Sequence, residues 1–558
     1  MVIFRFGLLL ATLLFMFVMP VQAKTLTIGI TQFPHTLHPT IDSMAATSYI
    51  MGLARRPITA YDADWTLVCL LCTELPTLEN GRAKVVEVPK DVGDGTGRGI
   101  AVTYTLPAEA AWGDGTPITT ADVVFTWEVG RHPQVGISAA ELYRRILDIT
   151  VVDDKTFTLV MDRVGFTYNS IGDFGLLPAH IEGPAFAENP AAYRSRTAYD
   201  RAPETKGLWF GPYRVTEVSQ GAQVVLERNP AWWGDAPAFD KIIVKAVENT
   251  AALEANLLAG GVDMIPGELG LAVDQVIAFE KRHGSRFAIT YKPSLYYEHL
   301  EVPLDAPMFA DVRVRRALLH AIDRQLIVDK LFGGKLTVAT TKVSPLDWVH
   351  HDGLAPLPFD PAKARQLLDE AGWTPGPDGI RRNAEGQALA FPLQTTAGNR
   401  TRERVQQVLQ AQWRDVGVDA QIRNEPARVL FGETLNKRRF TGAVMFAWIS
   451  SPENVPRTTQ HCEEIPTTAN AWTGQNYGAY CDPAMDTLID AIEVELDRDK
   501  RAALWLELQE KMAADVPDLP LFFRSEAYIL PPWLKGLRPT GHLNPSTLWV
   551  ETWSVDGR

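Results

Sequence analysis

Two kinds of apolar spacing take turns along this chain, and that alternation restricts its fold more than any other feature. Lys24 to Ile30 (KTLTIGI) and Ile100 to Leu106 (IAVTYTL) alternate as strands do when one face is covered. Thr156 to Met161 and Val224 to Glu227 follow suit, and Ile242 to Val247 is an apolar run expected of a strand buried on both faces. Helical spacing comes between and after them. Asp311 precedes Val314, Ala317, Leu318, Ala321 and Ile322, which fall on one helical face behind a capping carboxylate. Asp360-Pro361 opens a second helix with Ala364, Leu367, Leu368 and Ala371 on one side and Gly372 as its stop. Val405, Val408, Leu409, Gln412 and Val416 mark a third, followed by the strand-like VDAQI, and Asp482-Pro483 opens a fourth. Interleaved strands and helices predict an α/β fold. A chain of 558 residues exceeds what one hydrophobic core supports, so two or three domains are expected.

Ahead of Lys24 the pattern breaks. Arg5 is the only charge there, Gly7 to Met19 form an apolar run, and Pro20-Val21-Gln22-Ala23 supplies a break and small residues. These features predict a secretory signal peptide, residues 1–23, cut after Ala23. A spanning helix needs about 20 apolar residues, and this run is shorter. Lys+Arg number 54 against 67 Asp+Glu, a net charge of −13, which becomes −14 when Arg5 leaves with the signal peptide. That balance argues against a basic face for nucleic acid and against attraction to anionic lipid. Four cysteines in an exported chain are expected to be oxidised.

Residues 112–127 read WGDGTPITTADVVFTW. Asp114-Gly115 and Pro117 make a tight turn after a strand, and Thr119 with Asp122 form a capping-box pair for the helix that follows. This block resembles the W-x-DG-x-P-x-TA-x-DV-x-F segment of the family 5 extracellular solute-binding proteins, which include peptide-, dipeptide- and nickel-binding proteins of ABC importers. Six more blocks resemble that family in its order: GLWFGPYRV (207–215), ENTAALEANLLAGGVDMI (248–265), FADVRVRRALLHAIDRQLI (309–327), DPAKARQLLDEAGW (360–373), YCDPAMDTLI (480–489) and PDLPLFF (517–523). In the second of the seven, Leu208-Trp209-Phe210 departs from the family wording.

The resemblance implies a two-lobed periplasmic-binding-protein fold (type II, Venus-flytrap) with an extra domain on lobe one. Lobe one would comprise 24–60, 205–295 and 520–558, the additional domain 61–204, and lobe two 296–519. The hinges would fall near Tyr291 to Val302 and Pro517 to Arg524. The implied function is the periplasmic substrate-binding component of an ABC importer. It would hold an oligopeptide or peptide-like solute in the interlobe cleft, as a monomer, and deliver it to the permease and ATPase complex. No cofactor, metal or catalytic residue is implied, and nucleic acid is no partner. A non-peptide solute (oligosaccharide, opine or metal chelate) is the alternative, with a periplasmic hydrolase from another class. A hydrolase is opposed by the lack of a G-x-S-x-G turn.

By the same resemblance the solute meets the loop after a strand ending in Trp448, here VMFAWISSPENVP. Trp448 offers a flat face. Many peptide binders place an amine-holding Asp a few residues on, where this chain has Ser450-Ser451 and then Glu453. Either Glu453 takes the amine or the solute lacks one there. Trp472, Gln475, Asn476 and Tyr477 form a second candidate loop that pairs aromatic surface with amides. Phe33, His38 and Tyr49 are candidates in lobe one. His35 with His38, and His350-His351-Asp352, have metal-like spacing but lack a third ligand. Cys69-Leu70-Leu71-Cys72 is a CxxC in surroundings that oppose a redox helix. Of three possible pairings, Cys69 with Cys72 and Cys462 with Cys481 is favoured.

Overall fold

The computed structural model describes residues 24–41, 44–93, 95–135, 137, 140–247, 249–470, 472 and 474–556. The expected signal peptide and its cleavage point lie outside them. Three larger sheets organise the chain. In the first, Thr25–Ile30 lies parallel to Lys241–Ala246, and Gln223–Arg228 and Tyr213–Ser219 continue the sheet antiparallel. In the second, Ala83–Glu87, Arg98–Thr105, Thr156–Met161 and Ile146–Val151 are antiparallel throughout. The third has six strands, with Leu519–Leu530, Ala288–Glu301 and Ala443–Trp448 side by side in its middle. Ile100, Val102 and Tyr104 turn into the core, as the alternation predicts. Lys241–Ala246 differs from expectation. Only Ile242 and Val244 are fully buried, so this strand is covered on one face and partly open on the other.

The caps explain where helices start. Asp311, Asp360, Asn399 and Asp482 each accept a backbone N–H in the first turn of the helices Val312–His320, Pro361–Glu370, Arg400–Asp415 and Pro483–Val494. Gly115 turns the 112–127 block at φ +88, a left-handed conformation that glycine adopts without a Cβ penalty. Thr119 and Asp122 form the capping box of Thr120–Arg131. Aspartate stands there because its carboxylate also reaches inward, accepting from Ala179 N (2.9 Å) and Trp112 Nε1 (3.2 Å).

One hydrophobic core gathers the first and second sheets, from Leu26 through Tyr104 and Trp209 to Trp553. Another serves the third sheet and draws in Leu253, Val276 and Phe279, residues expected to belong to lobe one. Two long strands run between these bodies. Ala288–Glu301 pairs with Leu519–Leu530 from Ala288↔Leu530 to Leu300↔Leu519, with register shifts at Pro293/Tyr297 and Glu298/His299 that bend the pair. Toward the first core, Ile529 exchanges both backbone hydrogen bonds with Ile265 (3.0 Å each). Toward the third sheet, Tyr297 lies opposite Trp448.

At the bend sits a buried ion cluster. Glu298, with 1% of its side chain exposed, accepts from Arg402 Nε (2.6 Å) and Arg524 Nε (2.7 Å). Burial would raise its carboxyl, but the two guanidinium groups outweigh that and hold it at about 2. No helix among the described residues is long and apolar enough to cross a membrane.

Candidate functional site

The strand Ala443–Trp448 is buried over its first four residues and carries Trp448 at its C-terminal end. Its indole packs edge-on against Phe446 and stacks on Tyr477 (centroids 5.9 Å apart). In front lies a cavity of about 170 Å³. Trp448, Ser450, Ser451 and Gln475 line it, together with Lys342 and Asp347 from a segment a hundred residues earlier.

Ser451 and Asn454 also border a larger cavity of about 1070 Å³. One wall is Arg145, Arg163, Phe166 and Ser170, the other Glu453, Arg457, Asp490 and Glu493. The two walls touch at the rim. Phe166 N donates to Glu493 O (3.1 Å), and the Arg501 guanidinium lies 4.3 Å from the Phe166 ring centroid. Arg501 is held by Glu453 (3.4 Å), whose other oxygen accepts from Trp348 Nε1. Glu453 has φ +59, and its backbone N–H donates to Asp347 Oδ2 (2.7 Å). Burial raises the Asp347 carboxyl to about 6. Arg457 binds Glu493 (2.8 Å) and Asp490.

A third cavity, about 400 Å³, lies on the other face of the strand pair, where Glu298 rather than Tyr297 points. Thr31 and Gln32, the loop 267–273, Glu298, Arg402, Arg524 and Glu526 line it.

The structure thus brings Trp448, Ser450, Ser451 and Gln475 together, with Glu453 on the adjoining wall. Tyr477 backs Trp448. Other expected residues stand elsewhere. Asn476 is 1% exposed and clamps its own turn, donating to His461 O (2.9 Å) and Tyr480 O (2.7 Å) and accepting from Tyr480 N (3.0 Å). All its polar capacity is used inside the fold, which corrects its place among cleft residues. Trp472 is half-buried with φ +62 and borders none of the three cavities; Ala471 and Thr473 beside it lie outside the described residues.

His38 and Tyr49 are also corrected. Both are fully buried in the first core. His38 Nε2 meets Tyr193 Oη (3.1 Å), and burial pushes its pKa well below the ordinary value, so the ring stays neutral. Phe33 packs half-buried on the same core. The run after the first strand folds inward, and its cavity-lining residues are instead Thr31 and Gln32. His351 Nε2 turns to Glu510 (3.3 Å), and no group of three His, Cys, Asp or Glu able to hold a metal forms among the described residues. Cys69–Cys72 and Cys462–Cys481 are bonded, with Cα separations of 5.2 and 4.6 Å.

Lys342, Asp347, Trp348, Phe166 and Arg501 were not legible as site residues. They come from segments whose sequences carry no motif, and only their convergence marks them.

The sequence model of the bacterial extracellular solute-binding proteins, family 5 Middle, matches residues 98–464. Protein XP55 of Streptomyces lividans is 26% identical over 485 residues, covering 84% of this chain and 82% of its own. The oligopeptide-binding protein AppA of Bacillus subtilis is 26% identical over 450 residues, with 79% and 78% covered. The oligopeptide binding protein of Thermus thermophilus, solved with a pentapeptide, superimposes with a TM-score of 0.74 at 28% identity over 95% of this chain and 96% of that one. NikZ of Campylobacter jejuni, in complex with Ni(L-His), shares the fold at a TM-score of 0.75 and 20% identity, covering 96% and 100%. The two-lobed α/β architecture and the family match agree, and the chain belongs to the bacterial extracellular solute-binding proteins of family 5, which act by binding rather than by catalysis.

Proposed function

We propose that this protein is the periplasmic substrate-binding component of an ABC importer, exported by a signal peptide cut after Ala23, and that it closes on an oligopeptide or peptide-like solute. The observation that carries this reading is the cavity of about 1070 Å³ walled by two bodies, which shares Ser451 and Asn454 with the adjoining Trp448 cavity. Only a closed form presents both walls to one solute, so the solute binds that form more tightly and shifts the population toward it. The permease then recognises the closed surface.

Trp448 supplies an aromatic face, and Ser450, Ser451 and Gln475 supply groups that pair with peptide amides. Of the carboxylates beside them, Glu453 is committed to Trp348 and Arg501, whereas Asp347 gives one oxygen to the Glu453 N–H and keeps its buried Oδ1 without a partner. Glu453 is therefore not the group that takes a solute ammonium at this place. Mass spectrometry of what co-purifies from the periplasm tests the reading; a retained solute without peptide bonds sinks it. A metal chelate or other anionic solute is the second reading, favoured by the Lys342 ammonium in the Trp448 cavity.

Trp448→Ala is expected to weaken binding by about tenfold or more while the protein still folds, because the ring is only partly covered. Calorimetric titration checks it, and unchanged affinity removes Trp448 from the site. Phe166→Ala loses the ring that Arg501 covers across the rim, worth about 1 kcal/mol, or roughly fivefold in affinity. Small-angle scattering should then show a less complete compaction when solute is added.

A further inference from the structure

We propose that the cavity before Trp448 is an anion subsite, in which the Lys342 ammonium receives a carboxylate of the solute. The proposal rests on the binding reading above and goes beyond it by assigning the charge of the solute. Lys342 lies on the segment that follows the short strand Thr337–Val338 and borders the 170 Å³ cavity. Its Nζ donates to Thr459 Oγ1 (2.6 Å), and among the described residues it forms no ion pair within 4.0 Å. Two carboxylates influence it through space, and each has a nearer partner. Asp518 Oδ1 accepts from Tyr297 Oη (2.6 Å), and Glu301 Oε2 lies 3.4 Å from His299 Nε2.

A half-buried ammonium with one neutral acceptor carries part of the cost of desolvation, and a counter-charge entering the same space offsets it. Burial lowers the pKa of Lys342, which is the same penalty seen as a proton equilibrium. The rest of the cavity suits an anion. The hydroxyls of Ser450, Ser451 and Thr458 and the amide of Gln475 can donate to carboxylate oxygens. Trp505, also on the lining, has an indole N–H without a partner. Asp347 shares the lining and opposes an anion when ionised; its Oδ2 accepts from the Glu453 N–H, its Oδ1 has no partner, and burial raises its carboxyl to about 6, which weakens that opposition as pH falls toward that value. Ser451 and Asn454 border both this cavity and the large one. Free energy of this kind is larger in a desolvated cavity than at an exposed surface.

The test compares the wild-type protein with Lys342→Met, Lys342→Gln and Lys342→Arg, each checked for an unchanged melting temperature. Four probes are used, with retention read by native mass spectrometry. They are a tetrapeptide pool with free C-termini and neutral side chains, an amidated pool containing glutamate, an amidated pool without acids, and citrate. The wild type is expected to prefer a carboxylate-bearing probe over the acid-free pool by at least about tenfold. Both neutral variants lose that preference and Lys342→Arg keeps it. Preference for the first pool locates the carboxylate at the C-terminus, and for the second at a side chain. Retention of citrate alone, lost in the neutral variants, upholds the subsite and overturns the peptide reading. Peptide retention indifferent to acids, a preference that survives Lys342→Met and Lys342→Gln, or no retention of any probe overturns the subsite.

Discussion

Glu298→Ala is expected to lower the unfolding free energy by about 3–5 kcal/mol, because it strands two guanidinium groups at the bend of the strand pair. The carboxylate is 1% exposed and borders the 400 Å³ cavity together with both arginines, so water that takes its place does not restore their counter-charge. Arg402 reaches it from the helix Arg400–Asp415, and Arg524 from the strand Leu519–Leu530. One side chain therefore ties a helix and both long strands together. Glu298→Gln keeps the shape but removes the charge, and should also destabilise strongly. A denaturant midpoint at pH 7 measures both.

The acid limb of stability gives an independent reading of the same group. Its carboxyl is held at about 2 in the fold, below the ordinary 4.5. A depressed carboxyl contributes stability that is complete above its unfolded value and is lost as pH falls from about 4.5 toward 2. That difference corresponds to roughly 3 kcal/mol. Glu298→Gln should flatten the loss of stability across this window relative to wild type. An identical acid dependence in the two proteins would refute the assignment.

Removing the Cys462–Cys481 bond by the double substitution to serine is expected to cost about 3 kcal/mol, the loop-closure value for a separation of this size. The consequence extends beyond stability. The enclosed segment carries Gln475, which lines the Trp448 cavity, and Tyr477, which stacks behind Trp448. Asn476 pins the turn between them to His461 O and Tyr480 O, one residue from each end of the crosslink. Affinity should therefore fall along with the unfolding midpoint. Reduction of the native protein should reproduce both effects. The bond between Cys69 and Cys72 spans a separation of only 3, so its loss is expected to cost much less.

The helix starts at Asp311, Asp360 and Asp482 were readable because a cap interacts with the N–H groups two or three residues ahead, a range the local sequence encodes. The inward face of Arg98–Thr105 was readable because strand alternation is a property of the backbone. Lys241–Ala246 was misread as buried on both faces. Apolar composition reports a tendency to be covered, whereas the covering layer comes from elsewhere in the chain. His38 and Tyr49 were misplaced for a related reason: each ring suits either a cleft or a core, and in a core the His38 nitrogen needs a hydrogen-bond partner. For His38 that partner is Tyr193, 155 residues away.

By itself, the sequence determined the alternation of strands and helices, the caps and turns and the family, all of which rest on short spacings or on blocks kept in order, while it left three cysteine pairings open and only favoured the one observed. Tertiary structure alone decided that Glu453 spends its charge on Arg501, that Lys342 and Asp347 stand before Trp448, and that Phe166 meets Arg501 across the rim. Those relations depend on which distant segments end at the same cavity, and the free energy of burying or pairing a charge is set there, by neighbours that no local pattern names.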